Sequence, residues 1–282
     1  YILHYTEPGD IVFDGFAGTG MTGVAAQLCA IKDEVISLGY HVEEDGTVLR
    51  EETDESGNHV WAPFSRLGSR KIILNDLSPT ASVISHCYTT SINVGNFEEK
   101  ANRILKETEA ECEWLFQTTH SNGQTGKIFY VIWSDVFACP ECAQEVIFWN
   151  SAIEQSTQKI LPEFLCPHCS STLTKRNMGR IWMTKWDSSI GSTIKQTKLV
   201  PVLINYSVGT KRFDKSPDDL DIALIEKIEN SDIPYWFPTD SIKKGDKTGE
   251  PLRIGITHVH HFYTKRNLWF FSAFLSKALA ER

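Results

Sequence analysis

The sequence predicts an α/β fold: a partial Rossmann-like parallel sheet, interrupted by a small cysteine-bearing ribbon in a mixed α+β region. Three observations predict it. Val12-Phe13-Asp14-Gly15-Phe16-Ala17-Gly18-Thr19-Gly20-Met21-Thr22 reads as an apolar strand, a glycine-rich turn and the start of a helix. Lys71-Ile72-Ile73-Leu74-Asn75-Asp76 reads as a second strand that also ends in an acid. Cys139-Pro140-Glu141-Cys142 and Cys166-Pro167-His168-Cys169 are two C-x-x-C knuckles. The expected organisation is a cofactor-binding part over residues 1–119, a ribbon and basic hairpin over 120–215, and a helical continuation over 216–282.

In the first turn, Gly15, Gly18 and Gly20 allow backbone conformations that a Cβ hinders, and they let a ligand approach the main chain. Free N–H groups at a helix start favour an electronegative group. Asp14 would repel a pyrophosphate there, but it suits a cationic or hydroxyl-rich ligand. Such a turn points to S-adenosylmethionine, with its ammonium and ribose, rather than to a dinucleotide. The dinucleotide alternative remains open, because Gly18-Thr19-Gly20-Met21-Thr22-Gly23 also fits G-x-G-x-x-G. A dinucleotide fold places its ribose-binding acid about 20 residues on. Here the next strand-terminal acid is Asp76, and spacing decides nothing, because residues 33–68 look like an inserted hairpin with Asp45-Gly46 and Ser56-Gly57-Asn58 turns. An ordinary tight turn is the third reading.

Further along, Thr19 to Ile31 should be the first crossover helix, with Ala25, Ala26 and Leu28 toward the sheet. Phe97 to Thr119 has the spacing of one long amphipathic helix, with Ala101, Ile104, Leu105, Thr108 and Leu115 on one face. Lys127 to Ala138 alternates as a strand leading into the ribbon. The knuckles, 23 residues apart, fit a tetrahedral four-thiolate zinc site of Cys139, Cys142, Cys166 and Cys169. With all four positions filled by protein, that zinc would be structural; a redox pair or an iron–sulfur site is the alternative. Val146 to Trp149 and Ile160 to Phe164 would be the ribbon's strands, and His168 should be exposed rather than a ligand. Leu199 to Tyr206 reads as a strand, Gly209-Thr210 as a turn, Lys211 to Phe213 as its partner, and Pro217-Asp218 as a helix start running to Asn230. Cys29, Cys87 and Cys112 should be buried small hydrophobes.

The last cluster is His258-Val259-His260-His261-Phe262-Tyr263-Thr264-Lys265-Arg266-Asn267, leading into an apolar helix. Thr264 fits an N-cap, which leaves Lys265, Arg266 and Asn267 in the first turn. Cations there oppose the helix dipole, so a bound anion such as DNA phosphate would offset them. A metal at His258 and His260 would need a third ligand that strand-like alternation does not supply.

Pro8 to Gly20 and Asn75-Asp76-Leu77-Ser78-Pro79 resemble the two cofactor motifs of bacterial DNA methyltransferases that modify exocyclic amino groups of adenine or cytosine. Tyr1 to Thr6 is similar to the end of the helix that closes over the cofactor's methionine part in that family. The resemblance is specific over residues 1–30 and 71–80. It implies that Asp14, Gly15, Phe16, Ala17, Gly18, Thr19, Gly20 and Thr22 cradle the amino-acid part of S-adenosylmethionine, and that Asp76, with Leu77 and Ser78, holds the ribose hydroxyls. The middle and end are similar to large zinc-ribbon methylases, where a Phe-Tyr-Thr-Lys-Arg-Asn-Leu string also occurs. The family's [D/N/S]-P-P-[Y/F/W] catalytic signature is missing. The nearest string, Asp232-Ile233-Pro234-Tyr235-Trp236, lacks the first proline and reads as an aromatic-anchored turn. Catalytic residues are therefore expected beyond Arg282, with this chain as the cofactor-binding fragment.

The net charge of −8 conceals an asymmetry. Residues 1–60 carry a net −10, whereas residues 170–215 carry +7 and interleave cations with Trp182, Trp186 and Phe213. Phosphate contact needs local positive charge, which makes Lys175, Arg176, Arg180, Lys265, Arg266 and Asn267 the candidates for touching DNA. The rival is a solvated face over a hairpin with tryptophans in its core. The expected activity is site-specific DNA methylation; the alternatives are RNA methylation and a non-catalytic zinc-ribbon module that binds nucleic acid. Seven cysteines, four of them in the two knuckles, suit metal binding in a reducing compartment better than disulfides; with no apolar run of membrane length this suits a cytoplasmic, nucleoid-associated protein, and the family adds a possible restriction partner.

Overall fold

The computed structural model describes every residue except Gln155, Ser156, Gln158 and Arg282. The chain forms two compact units, Tyr1–Gly95 and Asn96–Arg282.

The first unit starts with α1 (Ile2–Tyr5), β1 (Ile11–Asp14), α2 (Met21–Leu28) and α3 (Lys32–Ser37). Next come β2 (His41–Val42), β3 (Thr47–Thr53) and β4 (His59–Arg66), then β5 (Lys71–Leu74) and α4 (Pro79–Thr89). β1 and β5 pair in parallel, Ile11 opposite Lys71 through Asp14 opposite Leu74. Both strands therefore end at the same edge. β2, β3 and β4 form an antiparallel meander turned at Asp45-Gly46 and Ser56-Gly57-Asn58, as their turn chemistry predicts. The sequence left α3 unseen, and the first helix is shorter than expected: it stops at Leu28, and Ala26 and Gly23 are buried rather than Ala25. At Gly23 a Cβ would sit 2.7 Å from Thr89, so glycine sets how closely α2 approaches α4. The meander packs Val42 and Val48 with Leu3, Cys29 and Val35. Arg70, 3% exposed, joins it to the N-terminal segment by donating to the carbonyls of Thr6 (2.7 Å) and Gly68 (2.5 Å). A buried cation is tolerable when its donors are filled in this way.

α5 (Val94–Cys112) begins in the last two residues of the first unit and runs into the second, where a 3₁₀ turn (Glu113–Phe116), β6 (Gln117–Thr119) and the long β7 (Thr125–Ala138) follow. The ribbon region holds β8 (Glu145–Ile147), α6 (Phe148–Ala152), β9 (Ile153–Glu154), β10 (Lys159–Ile160), β11 (Phe164–Leu165), β12 (Thr172–Leu173) and β13 (Gly179–Arg180). Beyond it come β14 (Trp182–Asp187), β15 (Ser192–Thr197), β16 (Leu199–Val208), β17 (Lys211–Lys215), α7 (Asp219–Asn230), α8 (Gly249–Arg253) and α9 (Lys265–Ala280). β7 is the spine of a six-stranded antiparallel sheet: β16 pairs along it, β17 follows β16, and β6, β8 and β13 join its ends. Between Lys127 and Val136 no described strand pairs with its side away from β16.

Four expectations are corrected here. The predicted helix 97–119 ends at Cys112, and Leu105 is exposed. A continued helix could bury only one of Trp114, Leu115 and Phe116. The 3₁₀ turn lets all three pack, Leu115 fully and Trp114 edge-on to Trp269. Phe148 and Trp149 belong to α6, which buries Phe148 against Phe137 and Phe164. Cys87 is exposed, unlike Cys29 and Cys112. The expected starts of α7 and α9 hold: Asp218 and Asp221 form a reciprocal capping box, and Thr264 accepts from the Asn267 amide.

Candidate functional site

At the shared edge of β1 and β5, the glycine turn closes on two carboxylates. Asp14 Oδ2 accepts from Thr22 Oγ1 (2.5 Å) and Oδ1 from the Phe16 amide (3.0 Å). Asp76 Oδ2 accepts from the Gly18 amide (2.9 Å) and Oδ1 from the Ser78 amide (2.8 Å). Those amides of Ser78 and Gly18 hold the Asp76 carboxyl below its ordinary pKa. Asn75 fastens the turn from the second strand: its carbonyl accepts from Ala17 N (2.9 Å) and its amide donates to Gly15 O (3.3 Å). Gly18 and Gly20 have φ of 53° and 81°, the left-handed region. A Cβ on Gly20 would lie 2.8 Å from Ser85, whose hydroxyl bonds Gly18 O. A cleft of about 220 Å³ opens beside the turn, lined by Ala17, Asn75, Asp76, Ser85 and His86 among others. Phe16 and Leu77 stand out from its rim, 92% and 98% exposed. Each Asp76 oxygen has one amide donor, so a lone pair remains on each for a ligand hydroxyl. Of the predicted residues, Asp14 to Gly20, Thr22 and Asp76 to Ser78 thus gather at one edge; Ser85 was missed, being an ordinary polar residue in sequence, and Asn75 stood in the second motif with no role assigned to it.

In the second unit the four knuckle cysteines converge. Their sulfurs all lie within 4.8 Å of one another, with Cys139–Cys169 at 3.7 Å and Cys142–Cys166 at 3.8 Å. A zinc–sulfur bond of about 2.3 Å in a tetrahedron gives sulfur–sulfur edges of about 3.8 Å, so the four thiols could hold that ion. The separations are far too long for disulfides. The two knuckles are built alike. Ala143 N donates to Cys139 O (2.9 Å) and Ser170 N to Cys166 O (3.0 Å). Ala143 and Ser170 have φ of 58° and 61°. Ser171, missed in the sequence, bonds both Cys139 and Cys169 and is the leading cause that lowers both thiols, Cys139 to about 6. Around the sulfurs lie Phe137, Val146, Phe148, Phe164, Leu173 and Met178. His168 is exposed and points to Glu145 O, away from the ligand role.

The basic residues are divided. Arg180 is paired to Asp135 at 2.5 Å and covers Phe137, so it belongs to the fold. Lys198 pairs with Glu145, and Lys215 with Asp218 and Asp221. Lys175 and Arg176 are exposed, Lys175 over the Phe148 ring. Arg266 is buried, which removes it from any flat basic surface, while Asn267 is exposed and Lys265 donates to Glu229 O. β14 and β15 form a separate two-stranded hairpin. Its tryptophans are not a core: Trp182 and Trp186 are 40% and 65% exposed. They share one face with Lys195, which lies opposite Thr184 and over Trp182.

The histidine segment is a 3₁₀ turn (Val259–Phe262), not a strand, and it supplies the convergence that alternation seemed to forbid. His260 and His261 each place Nε2 on Asp187 Oδ2, at 2.8 and 2.9 Å. The Thr257 amide donates to His261 Nδ1 (3.3 Å), so that ring carries its proton on Nε2 and donates to Asp187. The three side chains form a buried clasp holding the end of β14. Beside it, Gly255 (φ 87°) lies so near the hairpin that a Cβ would come 2.2 Å from Lys195 O.

Comparison with known proteins gives no match: no family model, curated protein or solved structure is significantly similar to this chain. No described helix is long and apolar enough to cross a membrane.

Proposed function

We propose that this chain is the cofactor- and nucleic-acid-binding part of a site-specific DNA methyltransferase that uses S-adenosylmethionine to methylate an exocyclic amino group of adenine or cytosine. The observation that supports it most is the pair of carboxylates, Asp14 and Asp76, at the ends of two parallel strands around a left-handed glycine turn. In this reading β1 and β5 belong to a Rossmann-like sheet. The cofactor, when bound, supplies an electrophilic methyl group for the target nitrogen. Asp76 would accept from the ribose hydroxyls, Asp14 would face the ammonium, and Phe16 and Leu77 would cover the base. The four cysteines would hold one structural zinc, which keeps the ribbon folded and takes no part in transfer. The Trp182–Trp186 face would stack on bases, with Lys195 beside it.

The expected result for Asp76→Ala is at least a tenfold loss of S-adenosylmethionine affinity in calorimetry, with an unchanged circular dichroism spectrum. Unaltered affinity would remove Asp76 from the site. The exposed tryptophan hairpin also favours a second reading, a zinc-ribbon nucleic-acid-binding module without catalysis. That module would bind DNA in a salt-dependent way and show no response to S-adenosylmethionine. An RNA methyltransferase would share the cofactor edge, and side-by-side methylation of DNA and RNA separates it.

A further inference from the structure

We propose that the cleft between β7, α7 and α9 is a nucleotide site, in which Arg266 and the first turn of α9 take the phosphate and the aromatics of β7 take the base. Arg266 is 8% exposed and lines this cleft of about 160 Å³. Among the described residues its side chain has no hydrogen-bond or ion-pair partner, and its Nε is buried. Its closest ring, Phe116, lies 5.9 Å away, at the limit of a cation–π contact. Asp221, the carboxylate that attracts it, already accepts from Thr118, Lys215 and the Asp218 amide. A guanidinium has five donors, and burying even the Nε–H unfilled is costly. A methionine would occupy the same space without that cost. An unfilled buried cation facing a cleft is therefore a place for an anion.

The helix start adds donors of its own. Thr264 takes the Asn267 amide on its hydroxyl and the Leu268 amide on its carbonyl, which leaves the Lys265 and Arg266 amides without an intrahelical acceptor. Thr264, Arg266 and Asn267 all line this cleft, so the helix start and the guanidinium offer it several donors, a number that suits the three oxygens of a phosphate better than the two of a carboxylate. The remaining wall is aromatic. Phe129 and Tyr130, about half exposed, and Trp133 come from the stretch of β7 that pairs with β16 on one side and with no described strand on the other. Arg212 sits 4.2 Å over Phe129 and adds positive charge to this face. Glu229 at the rim offers an acceptor to an exocyclic amino group. Stacking surface, phosphate donors and a carboxylate rim together describe a nucleotide, either free or within a DNA strand.

The choice of a nucleotide leans on the nucleic-acid part of the proposed function; the cavity and the unfilled arginine do not. The test titrates the full chain with 2′-deoxycytidine 5′-monophosphate, deoxycytidine and a short single-stranded deoxycytidine oligonucleotide, read by tryptophan fluorescence. The mononucleotide should bind at least tenfold more tightly than the nucleoside. Arg266→Met should lower that affinity at least tenfold while its melting temperature holds or rises. Phe129→Ala, at the exposed rim, should weaken binding several-fold in a folded protein. If only the oligonucleotide binds and Arg266→Met abolishes that binding, the site takes nucleotides within a strand and the proposal stands. Equal affinities for wild type and Arg266→Met, or no saturation by either phosphate-bearing probe, overturn it. S-adenosylmethionine titrated into the same samples reports on the other unit, so the two readings fail separately.

Discussion

Asp187 shows how one residue organises its surroundings. Burial alone would raise its pKa, but hydrogen bonds from His261 and His260 outweigh that and hold it at about 2. His261 is lowered from its ordinary 6.5, chiefly by burial, with His260 and His258 adding repulsion against the Asp187 bond. The unfolded chain therefore takes up a proton near pH 6.5 that the folded clasp refuses. Stability from this group is complete above that pH and declines as pH falls through the lowered value. Melting temperature should fall between pH 7.5 and 5.5 in wild type, and His261→Gln should flatten that window; equal slopes in the two proteins would exclude the clasp as the cause. That Asp14 and Asp76 end adjacent strands and that the four cysteines converge was legible, because a strand-turn-helix pattern and a C-x-x-C knuckle are each written within a few residues. Asp187 was not, since its partners lie more than 70 residues on. Arg266 looked like a surface cation, and nothing short of the fold could show it buried.

Among the elements, the β14–β15 hairpin carries the clearest prediction. Trp182 and Trp186 contribute little to packing, so replacing both with alanine should leave melting almost unchanged. Their loss should weaken single-stranded DNA binding by about 1–3 kcal/mol per stacked base, measured by fluorescence anisotropy. A double variant that binds as well as wild type would assign the hairpin another partner. The strands β7, β16 and β17 and the helices α7 and α9 were legible from alternation, turn residues and caps. The end of α5 was not: its apolar spacing continues to Leu115 while the backbone tightens to bury three consecutive apolar residues. Apolar periodicity reports which residues go inward, and tertiary packing decides the backbone path that takes them there. The same competition turned Phe148 from a strand into α6.

For the whole molecule, the proposed zinc carries the main prediction. One zinc per chain is expected on the four cysteines, and chelation should lower the melting temperature by at least about 10 °C, because structural zinc binding is worth roughly 10–16 kcal/mol. Cys142→Ser should reproduce this without chelator. A chain that holds no zinc after purification under reducing conditions, and melts as before with chelator, would make the thiols merely neighbours. The division at Gly95 was harder to read than either motif, because a helix with continuous spacing crosses it.

The placement of the knuckles also bears on how the sheet is made. β7 ends at Ala138 and β16 begins at Leu199, yet they share the longest pairing among the described strands. To meet unaided, they must close a loop of the residues between, which costs entropy before any ladder bond forms. Cys139 opens that loop and Cys169 lies near its middle, so an ion joining them early would remove about half of its length from the search. The ion that completes the small ribbon would thereby set the order of assembly of the larger sheet, and metal supply would govern refolding rate as well as final stability.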